Sequence, residues 1–244
     1  MESLITYFIK ITPAFILGIG LLGLLPKHLL PVRIFIYIFF FILARDAMTP
    51  LGLWKIDSKD FFWLRLSNDS LILISLAILC TGLVFTINYF EPELRALLVY
   101  NKTSMPISFI SGIIGGVIVF LPCLIFYSFI PIANRGGDVQ TSILLPLFLM
   151  CILGNFYEEI LFRGYFQGYI ETFLSPVKSA ISSGLLFSFG HIFLATTVTN
   201  LGLPVLLFTL YEGLIAAFMR MKFGLVSATI THGLGIFLIA SGLY

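Results

Sequence analysis

Charge is scarce in this sequence. Only 11% of its 244 residues are Asp, Glu, Lys or Arg, where a soluble domain carries about 25%. Histidine and cysteine are scarcer, with three residues each. Cys80, Cys123 and Cys151 each sit inside an apolar run, with no CxxC pair and no Cys/His cluster. A disulfide framework and a structural zinc site of ordinary spacing are therefore not indicated. The N-terminus, MESLITYFIK, lacks the basic start of a secretory signal peptide, and its apolar run is too long for one. It reads as a retained first span. Also missing is the residue-by-residue alternation of a membrane barrel.

What fills the chain instead is apolar: 59% hydrophobic residues and a mean hydropathy of +1.07. A water-soluble globule could not hide that much apolar surface. This excludes a soluble enzyme, a nucleic-acid binder and a disordered chain. It leaves an integral membrane protein whose surroundings are the lipid bilayer. Each helical span needs about 20 residues. The runs predict spans over 4–25, 29–51, 70–90, 107–130, 141–174, 177–196, 203–219 and 224–243. The expected fold is an all-α polytopic transmembrane helical bundle of eight spans, or seven, forming one membrane domain over 1–244. The second span is interrupted by Arg45 and Asp46, and its clean core of 34–44 would also suit a re-entrant or interfacial piece. The stretch 54–69 mixes both charge signs with Phe61, Phe62 and Trp63, which suits a segment in the interface. Gly112, Gly115 and Gly116 offer a close helix contact. Lys10 and Arg33 are expected to snorkel to an interface, and His28 to sit in a loop. Basic residues in short loops number eight on one side against five on the other. That places the turns at Ser175 and Lys222 in the cytoplasm and both termini outside.

An ionisable group inside a membrane costs ~3 kcal/mol on insertion scales and is a functional candidate by default. The fifth span carries Glu158 and Glu159, the sixth His191, the seventh Glu212 and the eighth His232. Glu159 and His191 lie equally far from the turn at Ser175, and Glu212 and His232 equally far from Lys222. Antiparallel helices rising equally from one turn put each pair at one depth. Glu159 and Arg163 are spaced i,i+4 and can pair along one face. Glu158 is rotated about 100° away and has no basic partner on its own helix. A carboxylate in an apolar cleft suits general acid/base work. Two chemistries stay open from these residues. Glu158 and His191 could polarise a water while His232 stabilises the oxyanion. Alternatively Glu158, His191 and His232 could bind zinc, although no HExxH pair favours it.

EEILFR (158–163) resembles the EExxxR motif of the CPBP family, the CAAX proteases and bacteriocin-processing enzymes also called Abi. FSFGH (187–191) resembles its FxxxH motif, and THGLGI around His232 resembles its HxxxN/D motif. The resemblance covers 141–243, a four-helix catalytic core. It implies an intramembrane glutamic protease; of the two chemistries the residues leave open, the one without a metal or cofactor is the expectation. Glu158 would be the general base, His191 its assistant and His232 part of the oxyanion hole, with Glu159 and Arg163 supporting. The third motif departs from the family at Ile236, which cannot donate a hydrogen bond. Glu212, level with His232, is the candidate to compensate.

The expected activity is hydrolysis of a peptide bond in a membrane protein or lipidated peptide, at a bacterial cytoplasmic membrane. Two alternatives stand beside it. One is a non-catalytic relative that binds and regulates a membrane protein, as Ile236 suggests. The other is a proton-coupled transporter using the buried Glu and His residues as a relay, against which the lack of internal repeats argues.

Overall fold

The computed structural model describes residues 2–57, 63–135, 138–199 and 201–243. Lys59, Phe61 and Phe62 of the charged stretch lie outside the described residues. The chain runs through α1 (Glu2–Leu24), α2 (Leu30–Met48), β1 (Trp54–Asp57), β2 (Trp63–Leu66), α3 (Ser70–Phe90), α4 (Pro92–Arg95) and α5 (Met105–Tyr127). It continues through α6 (Thr141–Glu159), a π-helical segment (Ile160–Phe166), α7 (Gln167–Ile170) and α8 (Pro176–Phe189). A second π segment (Leu194–Val198), α9 (Leu203–Phe223) and α10 (Leu225–Ser241) complete it. Among the described residues seven helices are long and apolar enough to cross a membrane, and α10 is a shorter apolar one. The protein is an all-α polytopic bundle.

Local chemistry sets the helix ends. Proline opens α2, α5, α8 and α9 within the first two positions, where its missing N–H costs nothing. Asp69 caps α3 by accepting from the N–H groups of Leu71 and Ile72. Gly224 joins α9 to α10 at φ 100°, and a Cβ there would come 2.5 Å from the Tyr100 carbonyl oxygen. The backbone turns so tightly because Leu225 and Val226 donate to the carbonyls of Val99 and Tyr100.

Helix α10 is central, packing on α5, α6 and α9, while α8 lies on α9 and α3 on α6. The expected glycine contact on α5 is made with α10. A Cβ on Gly112 would fall 2.6 Å from that of Ile230, and one on Gly116 2.9 Å from that of Leu234. The second span is one full helix followed by a 3-10 turn, Thr49–Leu51, rather than a re-entrant piece. Arg33 does not snorkel. It is buried and pairs with Glu91, which also meets Lys27 Nζ at 3.1 Å and accepts from Tyr37 Oη at 2.9 Å. Burial raises the Glu91 carboxyl, but the bonds from Arg33, Lys27 and Tyr37 outweigh it and hold the group below its ordinary value.

Within the stretch expected in the interface, Trp54–Asp57 and Trp63–Leu66 pair as antiparallel strands, with Trp54 opposite Leu66 and Ile56 opposite Leu64. Trp63, Leu64 and Arg65 are buried, and Arg65 Nη1 donates to the Ala240 carbonyl at 3.2 Å. Two strands cannot bury enough surface to stand alone; this pair rests on α10.

Candidate active site

Helix α6 delivers the two glutamates to different places, as a rotation of one residue requires. Glu159 turns inward and is completely buried. Its Oε1 lies 3.0 Å from Arg163 Nη1 one turn on and 2.8 Å from His232 Nδ1 on α10. Arg163 Nη2 donates to the Gly213 carbonyl at 3.0 Å, and its guanidinium stands 4.2 Å above the Phe187 ring. Glu158 faces a cavity of about 390 Å³, which His191, Glu212 and His232 also line. Its Oε1 is buried with no hydrogen-bond partner among the described residues.

The segments holding these residues leave the ordinary α-helix. The i→i+5 turns of Ile160–Phe166 begin just after Glu159. In the sixth span α8 ends at Phe189, His191 sits in the turn beyond it, and the second π segment follows. Such widened turns recur at functional sites. Phe187 ties the motifs together. It stacks 4.7 Å from the His191 ring and 5.4 Å from that of His232, and takes Arg163 on its face.

Partner chemistry fixes the state of His191. Its Nδ1 is 2.8 Å from the Phe187 carbonyl, which can only accept. Its Nε2 is 2.9 Å from Arg45 Nη1, which can only donate. The ring is therefore neutral, with its proton on Nδ1 and its lone pair on Nε2 toward Arg45. Arg45 Nη1 also lies 3.9 Å from Glu158 Oε1. His232 gives Nδ1–H to the Glu159 carboxylate, and its Nε2 faces Glu212 Oε1 at 3.7 Å.

Glu158, His191, Glu212 and His232 thus come together at the cavity, with Glu159 and Arg163 directly behind them. The depth argument pairs Glu212 with His232, as found, but Glu159 reaches His232 rather than His191. In the sequence Arg45 marks only an interruption of the second span. Its signal was present, an arginine in an apolar helix, yet no spacing linked α2 to the motif helices. Asn155 also lines the cavity, one turn before Glu158, with Nδ2 donating to the Cys151 carbonyl.

The zinc alternative does not fit this arrangement. His191 Nε2 is covered by the Arg45 guanidinium 2.9 Å away, so of the two histidines only His232 keeps an Nε2 that no cation covers. Among the described residues no group of three or more His, Cys, Asp or Glu side chains is disposed to hold a metal ion. Most of the remaining lining is apolar. Tyr7 and Phe15 of α1, Phe41 of α2 and Leu76 of α3 form its walls, and Trp54, Ile56, Leu64 and Leu66 present one face of the hairpin to it.

Residues 140–237 match a family model described as type II CAAX prenyl endopeptidase Rce1-like. That stretch holds all three motifs. No curated protein and no solved structure matches the chain.

Proposed function

We propose, from the premise that residues 140–237 belong to the Rce1-like, CPBP family of membrane proteases, that the protein is an intramembrane glutamic endopeptidase. The observation that carries this is Glu158, which lines a mostly apolar cavity beside a neutral histidine with its buried Oε1 in no hydrogen bond among the described residues. Glu158 takes a proton from water as the water oxygen bonds to the scissile carbonyl carbon. The same proton then passes to the leaving amine nitrogen as the C–N bond breaks. His191 orients the water, and His232 and Glu212 bear on the carbonyl side. Glu159 and Arg163 hold His232 in place. The reaction needs no metal or cofactor.

The apolar walls favour a substrate that is itself apolar around the cut: a membrane-embedded or lipidated peptide, with a prenylated CaaX tail the form the family's name suggests. The enzyme works in the cytoplasmic membrane of a bacterium, reached from the cytoplasmic leaflet or sideways from lipid. A second reading, a non-catalytic binder of a membrane partner, is favoured by one observation. Ile236 lines the cavity and donates nothing.

Membrane-protein termini compared by mass spectrometry separate the two. Cells carry wild type, Glu158→Gln or no protein, at matched expression. New termini that appear with wild type alone support the protease. A biological effect that survives Glu158→Gln, with no changed terminus, overturns it in favour of the binder.

A further inference from the structure

A hydrolase of this kind must give hydrogen bonds to the oxygen that becomes negative. Most donors around the cavity are already spent on backbone carbonyls. Tyr7 gives its hydroxyl to Ala44, Thr12 to Phe8 and Thr209 to Leu206, and Asn155 gives one of its two amide N–H groups to Cys151. His232 Nδ1 is held by Glu159, and its Nε2 faces a carboxylate. Arg45 is different. A guanidinium has five N–H groups, and three are committed: Nε to Asp46 Oδ1 at 2.8 Å, Nη1 to His191 Nε2, and Nη2 to the Gly190 carbonyl at 2.8 Å. The remaining two belong to Nη1 and Nη2. The side chain lines the cavity, and Nη1 lies between the two groups that handle the water.

We infer that Arg45 is a catalytic residue of the proposed protease, the donor to the scissile carbonyl oxygen. This rests on the protease reading. Water adds to the carbonyl carbon, its proton goes to Glu158, and the carbonyl π pair moves onto an oxygen held by Arg45. As that oxygen gains charge it becomes a stronger acceptor than neutral imidazole. Nη1 moves its bond from His191 Nε2 to that oxygen as the carbonyl binds and tightens it as charge develops, so that Nε2 accepts one hydrogen of the water while Glu158 takes the other. The fork to Asp46 and Gly190 keeps the guanidinium from following the substrate out.

The test uses the purified full-length protein in liposomes. The probe is a quenched farnesylated CaaX peptide, or else the peptide spanning a wild-type-dependent cut from the terminus comparison. Arg45→Gln and Arg45→Ala are expected to lower kcat by about 10²–10³ with KM little changed, the pattern of an interaction felt chiefly in the transition state. Arg45→Lys keeps a charge but loses the fork, and should fall between. Arg45→Ala combined with Ile236→Asn puts a new donor on α10 and should recover about tenfold of the loss, which a purely structural role would not allow. Thermal unfolding in detergent checks each variant. Should Arg45→Ala not fold, Arg45→Gln and Arg45→Lys decide by the same criteria. Wild-type kcat in Arg45→Gln, in a protein that Glu158→Gln inactivates, overturns the role of Arg45 and leaves the protease standing. Wild type that cuts nothing, and cannot be told from Glu158→Gln, removes both.

Discussion

At the scale of single residues, adjacent glutamates divide the labour. Glu158 borders open space, so Glu158→Gln should cost about 10²–10⁴ in rate and leave the unfolding temperature unchanged. Glu159 and Arg163 are fully buried together. Arg163→Ala leaves the buried Glu159 carboxylate with only its bond from His232 Nδ1, and should destabilise by about 1–3 kcal/mol, read as a lower unfolding temperature in detergent. Glu212→Gln tests whether that carboxylate, 3.7 Å from His232 Nε2, orients the ring for the reaction, and a reduced kcat is expected. Unchanged activity would make Glu212 a tie between helices and nothing more. The motif glutamates, Arg163 and both histidines were legible in the sequence because charge inside an apolar run stands out. Arg45 was not, because its partners lie 113 and 146 positions away, and no one-dimensional period connects them.

Between elements, close contact and ion pairing do the joining. Gly112 lets α10 approach α5, so Gly112→Val should cost about 1–3 kcal/mol by overpacking and shift His232, lowering activity and unfolding temperature together. The Glu91 cluster ties α2 to the end of α3, and its pH dependence has a definite sign. The folded carboxyl lies below its ordinary value, so its contribution is complete above the unfolded value of about 4.3. It is lost as pH falls through the folded one. The difference in unfolding temperature between wild type and Glu91→Gln should therefore hold steady near neutrality and close on acidification. Helix number and order could be read from apolar run length. The π segments could not, because periodicity over a continuously apolar run does not register one extra residue per turn. The hairpin was hidden for another reason. Mixed charge and aromatics at 54–69 describe a half-wet surface, and whether that surface is built of helix or of strands is settled by what it packs against, here α10.

For the molecule as a whole, the outside is greasy. Leu24, Leu17, Ile9 and Phe129 are among many large apolar side chains left exposed, far beyond the patch a soluble monomer tolerates. The protein should stay with membranes through an alkaline carbonate wash and precipitate when detergent is withdrawn. Sedimentation after each treatment checks this. The matched stretch, 140–237, contains every motif residue but only part of the chamber. Arg45, the aromatic walls of α1 and α2, the hairpin and Leu76 all come from earlier in the chain. The motifs are thus a signature and not a module. A fragment cut to that stretch, or a graft of it onto foreign helices, would keep the recognisable letters and lose the room in which they act. Chains sharing only those letters can differ in what they admit, since the walls that choose the guest are free to diverge while the signature stays legible.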